Sequence, residues 1–392
     1  MRLRRSASRR RGPLTCAAVA GLLAGDAAAA QTPQSAIPRE SVCAAQAESG
    51  VPAQRLAALQ SGFSIPGWTN EEPARPPQEE TLRELRQRGF RHIRLPIRPE
   101  DLSPAFAEPF AIERKFAAID RAVAAILRHG FAVSIDMHPG EKFNRAHRDD
   151  PAHGAGILRE VWQRVAARYR HEPPDRVFFE VLNEPNLPTG AWNDQGPRLA
   201  AAIREVAPRH TLTTVPPIFS GSKPWQALAP LADRNVIYAV HYYDPMSFTH
   251  QGMTWSTEPL AFVRGIPFPA ALTDVEPELR RLAREGRAGS AATVLKDFRT
   301  PWTPQRIEAA FAGVAQWALR HRRPVIVNEF GALSFEASPA ARAEWIHAVR
   351  SAAERFCFGW THWDYADGFG FVKRRDGVET VDPRIAGALI DR

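Results

Sequence analysis

Eight short apolar runs punctuate the chain: Gly62 to Trp68, His92 to Ile97, Ala132 to His138, Val177 to Asn183, Thr211 to Val215, Val236 to Tyr242, Val325 to Glu329 and Phe358 to Trp363. Most are nearly continuous rather than alternating, which is the pattern of strands buried on both faces of a parallel sheet. Between them the spacing changes to that of amphipathic helices, with stripes such as Phe116, Ile119, Val123, Ile126 and Ile307, Phe311, Val314, Ala318. Thr303-Pro304 and Ser338-Pro339 read as helix starts, a hydroxyl cap followed by proline at the first helical position. Gly89 is placed to end the helix that carries Leu82 and Leu85. Alternating strands and helices in this number predict an α/β fold of the (β/α)8 TIM-barrel type. Two regions break the rhythm. Asp244 to Trp302 forms a long loop insertion after strand six, expected to wall the active site, and the fifth unit is weak, with at most a short helix within Ser220 to Leu231.

Composition refines this picture at the N-terminus. Residues 1–30 open with Arg2, Arg4, Arg5, Arg9, Arg10 and Arg11, continue with an apolar stretch from Leu14 to Ala24, and close on Ala28-Ala29-Ala30, the layout of an export signal peptide. The apolar stretch is shorter than the about 20 residues that a membrane helix needs, so no membrane anchor is expected. Ser8-Arg9-Arg10 hints at twin-arginine export, but Gly12-Pro13 departs from that pattern and leaves the general route open. Residues 31–60 read as a polar N-terminal arm and 61–392 as one catalytic domain, expected to be a monomer and either periplasmic or extracellular. Of the formal charge of +8, the six arginines and single aspartate of residues 1–30 carry +5, leaving +3 on the rest. That balance does not imply nucleic acid as a partner. Cys16 falls in the leader, so Cys43 and Cys357 remain, either joined in an oxidising compartment or as two separate buried thiols.

In such barrels the chemistry sits where strands end at their carboxyl side. The run Val177-Phe-Phe-Glu-Val-Leu-Asn183-Glu184-Pro185 delivers a carboxylate there, and Pro324-Val-Ile-Val-Asn328-Glu329-Phe-Gly331 delivers a second. A carboxyl pair on one rim is what glycoside hydrolysis requires. The other strand ends supply Arg94, His138, His241, Tyr243 and Trp363, with Trp68 at the end of strand one. The order Arg94, His138, Asn183-Glu184-Pro185, His241-Tyr242-Tyr243, Glu329-Phe330-Gly331 and Trp363 resembles glycoside hydrolase family five, the cellulase family, over about residues 60 to 370. The resemblance implies a retaining double displacement with Glu184 as general acid and base, Glu329 as nucleophile and carboxyls about 5 Å apart. It also implies that Arg94 and Tyr243 bind Glu329, that Asn183 meets the sugar 2-hydroxyl, and that His138, His241 and Trp363 line the subsite of the attacked sugar. The substrate expected is a β-glucan or related polysaccharide, foremost cellulose, with mannan, β-1,3-glucan and exo action as alternatives. No cofactor or metal is implied.

Duller roles stand beside these. Either glutamate could be an ion-paired rim residue, and either histidine a satisfied core residue. Glu180 mimics a catalytic acid in the same strand, but at about 3.3 Å per residue it would lie about 13 Å below the strand end, near the barrel floor, in an internal ion pair. Asp136 and Asp364 are supporting candidates. Among ten tryptophans, Trp162, Trp317 and Trp345 fall in helices and read as packing, whereas Trp68, Trp225, Trp255 and Trp302 are candidates for flanking sugar subsites. Two other classes compete: a metal-dependent barrel hydrolase built on Asp136, His138, His241 and Asp364, and a carbohydrate-binding protein without catalysis.

Overall fold

The computed structural model describes residues 37–217, 228–255 and 259–390. The leader, Trp225 and most of Ser220 to Leu231 lie outside these. Eight parallel strands close into a barrel in chain order: β1 (Ser61–Ser64), β2 (His92–Ile97), β3 (Ala132–Met137), β4 (Val177–Glu180), β5 (Thr211–Thr214), β6 (Val236–Tyr242), β7 (Val325–Phe330) and β8 (Gly359–His362). This is the (β/α)8 architecture that the alternation predicts. The cap signals also hold. Thr303 accepts a hydrogen bond from the backbone of Arg306 and Ser338 from that of Ala341, while Gly89 ends its helix at a φ of 112°, which suits glycine.

Three expectations are corrected. The first strand stops at Ser64: Ile65 still donates to the Arg94 carbonyl, but Pro66 opens a single 3₁₀ turn that holds Trp68. The fourth ends at Glu180, although Val181 and Asn183 still donate to Thr213 and Met137 on either side. The insertion after β6 is not a loop: it contains helices Met246–Thr249, Leu272–Arg284 and Ala288–Asp297, the last two packed against each other. A hairpin, Val372–Arg375 with Val378–Val381, was not signalled by the sequence at all.

Alternation along the strands sorts the barrel interior into layers. Ala132, Phe178, Ile237, Ala239 and Ile326 form an apolar plug, closed from below by Val51 and Leu59 of the N-terminal segment. Above that plug the inward positions become charged, with Arg94, Asp136 and Glu180. The odd-face residues such as Ile93, Leu95, Val133, Ile135 and Phe179 pack outward against the helices.

The N-terminal segment is tied down covalently. Cys43, in helix Arg39–Ala47, and Cys357, just before β8, are disulfide-bonded with Cα atoms 5.4 Å apart. Gln46 of the same helix donates to the carbonyls of Phe356 and Cys357. The bond spans 314 positions of sequence, so its loss frees a long loop in the unfolded chain. Cys43→Ser is therefore expected to lower the unfolding free energy by about 2–4 kcal/mol. Reductant should lower the melting temperature of the parent protein to that of the variant and leave the variant unmoved.

Candidate active site

The site begins with Arg94, fully buried at the centre of the barrel. A guanidinium has five N–H donors and no acceptor, so burial obliges it to collect acids. Nε and Nη2 grip Glu180 at 2.9 and 2.8 Å, Nη1 donates to Glu329 at 2.7 Å, and Nη2 also reaches Asn183 at 2.7 Å and Asp136 at 2.9 Å. Burial works against the charge on Arg94, and Asp136, Glu180 and Glu329 together more than restore it.

Glu180 is thus the internal ion-pair partner that the sequence suggests, but not near the floor. It shares a guanidinium with Glu329 and lies directly beneath the rim. The distance of about 13 Å assumed a fully extended strand. Here the long Arg94 side chain spans the layers, and the chain leaves β4 and folds over the mouth. That fold is sharp: Glu184 takes a φ of 42°, a left-handed conformation costing a non-glycine residue about 1–3 kcal/mol. It presents its half-exposed carboxylate towards His241, whose Nδ1 lies 2.9 Å from Oε1.

Glu329 reaches the site through an irregularity. The β6–β7 register runs Val240 to Val327 and then His241 to Glu329, so Asn328 is an extra residue on β7. A bulge lets neighbouring side chains face the same way, which regular alternation forbids. Asn328 accordingly donates to Glu180 at 2.9 Å while Glu329 meets Arg94 and accepts from the Tyr243 hydroxyl at 3.0 Å. His241 Nδ1 is also 3.7 Å from Glu329, and one ligand atom from each of Glu184, His241 and Glu329 fits within a mutual distance of 4.8 Å. One oxygen of Glu184 and one of Glu329 therefore lie within 4.8 Å of each other at the barrel mouth.

The electrostatics separate these acids. Burial pushes Glu329 towards the neutral form, but His241, Arg94 and His138 outweigh it and hold its carboxyl below the ordinary value. Burial dominates at Glu180; Arg94 opposes it, Asp136 adds to it, and its carboxyl lies above the ordinary range. Two acids on one guanidinium are thus driven apart, and the one at the rim stays ionised. Burial disfavours charge on His241 as well, yet Glu329 and Glu184 raise it overall.

The remaining site residues converge. His138 bonds through Nδ1 to Asp136 at 2.8 Å and stacks on Trp363, with ring centroids 5.3 Å apart. Trp363 is half-buried at the rim with the Arg94 guanidinium 5.8 Å from its ring. Asp364 is elsewhere: it accepts from the Asp367 backbone at 2.6 Å, and burial followed by the Asp367 charge raises it to about 7. Asp136, His138, His241 and Asp364 do not gather into a metal-binding group among the described residues. Of the rim tryptophans, Trp68 and Trp302 are packed at 8% and 7% exposure, while Trp255 is 59% exposed. Trp162, Trp317 and Trp345 are buried, as their helical positions suggest.

The sequence reading passed over Asn328, His250 and Phe369. The rings of His250 and Phe369 flank Tyr243 at 5.0 and 5.8 Å, and both also approach Trp255. The only cue for Asn328 was its place in the Asn-Glu pair of β7; for His250 and Phe369 no periodic signal exists.

The signs of these shifts make a prediction. Glu329 is held below its ordinary 4.5, so its stabilisation is present above that pH and lost as pH falls through the folded value. His241 is held above 6.5, so its stabilisation is complete below 6.5 and lost as pH rises through the folded value. Both contributions coexist between 4.5 and 6.5. Urea unfolding should show the parent protein losing stability as pH climbs from that window, with His241→Asn showing a flatter alkaline slope.

The family model for cellulase, glycosyl hydrolase family 5, matches residues 47–367. Endoglucanase 3 of Fibrobacter succinogenes is 28% identical over 331 residues, covering 78% of this chain and 48% of that protein. Endoglucanase C of Acetivibrio thermocellus is 22% identical over 329 residues, covering 79% and 92%. The crystal structure of endoglucanase Cel5A from Thermotoga maritima superimposes with a TM-score of 0.70 at 25% identity, covering 87% of this chain and 100% of that one. The chain spans about half the length of the first curated relatives it matches, 48% and 55%.

Proposed function

The chain belongs to the cellulase family, glycosyl hydrolase family 5, and from that premise we propose that it is an exported, retaining endo-β-1,4-glucanase acting on cellulose or a related β-glucan. The observation that carries this reading is the facing pair Glu184 and Glu329, with an oxygen of each inside the 4.8 Å cluster at the barrel mouth. That cluster is tighter than the about 6.5–9.5 Å by which inverting enzymes separate their carboxyls to admit a water, and this supports the retaining reading.

Glu329, kept ionised by His241, Arg94 and His138 and oriented by Arg94 and Tyr243, attacks the anomeric carbon from the face opposite the leaving group. Glu184 gives its proton to the departing glycosidic oxygen, so the leaving chain goes as a neutral alcohol and a glycosyl ester forms on Glu329. Esterification removes the Glu329 charge, and Glu184, now a carboxylate, takes a proton from water as that water attacks. His241 fixes Glu184 through Oε1, which is a task beyond lining the sugar subsite. Asn183 is anchored from below by Arg94 and is placed to meet the 2-hydroxyl, where hydrogen bonds strengthen towards the transition state. Trp363, braced by His138, offers its face to the same ring.

Export is supported by the composition of residues 1–30 and by the Cys43–Cys357 bond, which suits an oxidising compartment. Among the described residues no helix is long and apolar enough to cross a membrane. Among the described rim candidates Trp68, Trp255 and Trp302, Trp255 has the exposure that a flanking subsite needs.

Two outcomes test the roles. Glu329→Gly should abolish turnover and recover it with azide or formate, which fill the emptied space and attack in the nucleophile's stead; a folded variant that stays inactive with either anion contradicts the assignment. Hydrolysis followed by NMR should release the β anomer first, whereas an initial α product would mean direct attack by water. Reducing-sugar release from purified β-1,4-glucan, mannan and β-1,3-glucan is expected to be greatest on the first.

A further inference from the structure

We propose that the same three side chains that converge at the barrel mouth form a reversible inhibitory site for a divalent transition metal of the zinc or copper class. The ligands are His241 Nδ1 and one carboxylate oxygen each of Glu184 and Glu329. The consequence for catalysis rests on the roles proposed above, but the binding rests on geometry alone.

Tetrahedral zinc with bonds of about 2.0–2.1 Å to nitrogen and oxygen sets its ligands about 3.4 Å apart. His241 Nδ1 lies 2.9 Å from Glu184 and 3.7 Å from Glu329, straddling that value. The remaining edge, between the carboxylates, falls inside the 4.8 Å limit. Glu184 can close it, because its side chain is 34% exposed and bonded only on the His241 side among the described residues. Imidazole with two carboxylates suits zinc and copper, while magnesium and calcium demand larger all-oxygen shells. Two acids supply the charge that a divalent ion needs. Arg94 and Tyr243 already fix Glu329, as supporting groups do around metal ligands.

The site differs in one respect from those of resident metals. Among the described residues His241 Nε2 is buried with no hydrogen-bond partner, so none of them supplies the outer acceptor that normally anchors a ligating histidine. The ion is therefore an exchangeable inhibitor and not a cofactor. On binding, it takes the Nδ1 lone pair, the ring proton there leaves to water, and no electron is transferred. Glu329 can then no longer attack, nor Glu184 donate, and the sugar is excluded from the space between them.

Calorimetric titration of the chelator-treated full chain with zinc chloride, without substrate, is the test. We expect one ion per chain and an affinity weakened by about tenfold or more in His241→Ala and in Glu184→Gln, since loss of outer-shell support alone costs that much. Unchanged affinity in both variants overturns the site. If melting shows that the variants do not fold, cobalt substituted into the parent protein should give intense tetrahedral absorption; its absence at saturating cobalt overturns the site equally. Absence of glucan hydrolysis would sink the proposed function and leave the calorimetric result standing.

Discussion

A single buried guanidinium organises this molecule. Arg94 has no water to solvate it, and its charge persists because three carboxylates and an amide oxygen surround it. Removing one member of such a network leaves the others uncompensated, at a cost of about 3–5 kcal/mol. The arrangement joins stability to chemistry: the ion pairs that satisfy the barrel interior are also the ones that aim and ionise Glu329. Four strands, β2, β3, β4 and β7, are stitched through that one side chain.

Two departures from regular backbone finish the site. The extra residue at Asn328 turns both Asn328 and Glu329 inward, so that one braces Glu180 and the other faces the cleft. The left-handed turn at Glu184 carries the second carboxylate over the mouth towards the first. Neither would persist on local preference alone. Each is held by the hydrogen bonds it permits, and strain of this kind concentrates at functional sites.

The barrel was legible in the sequence because burial on both faces writes continuous apolar runs, and because Thr303, Ser338 and Gly89 mark helix ends by chemistry that does not depend on distant contacts. Glu329 was legible because it sits near the end of β7, and Glu184 because it closes the apolar run that begins in β4, although the strand itself stops at Glu180. What the sequence did not carry were effects of tertiary geometry. The height of Glu180 depended on how far Arg94 reaches and on how the chain bends after β4. The two longer helices inside Asp244 to Trp302 were hidden because Pro277, a residue that argues against helix, lies within the first and the periodic stripe of the second is short. Trp68 and Trp302 looked like rim residues by position, yet each is packed, Trp302 with its indole N–H on the Asp297 carbonyl and Arg306 over its ring.

The central claim is that Arg94 holds Glu329 as an ionised nucleophile facing Glu184. Inactivation with a 2-deoxy-2-fluoro cellobioside, which traps the glycosyl ester, followed by peptide mass mapping, addresses it most directly. The account predicts one label per chain on the peptide containing Glu329, and much slower labelling in Arg94→Lys. A label on Glu184, or no covalent adduct while natural substrate is still hydrolysed, would contradict it.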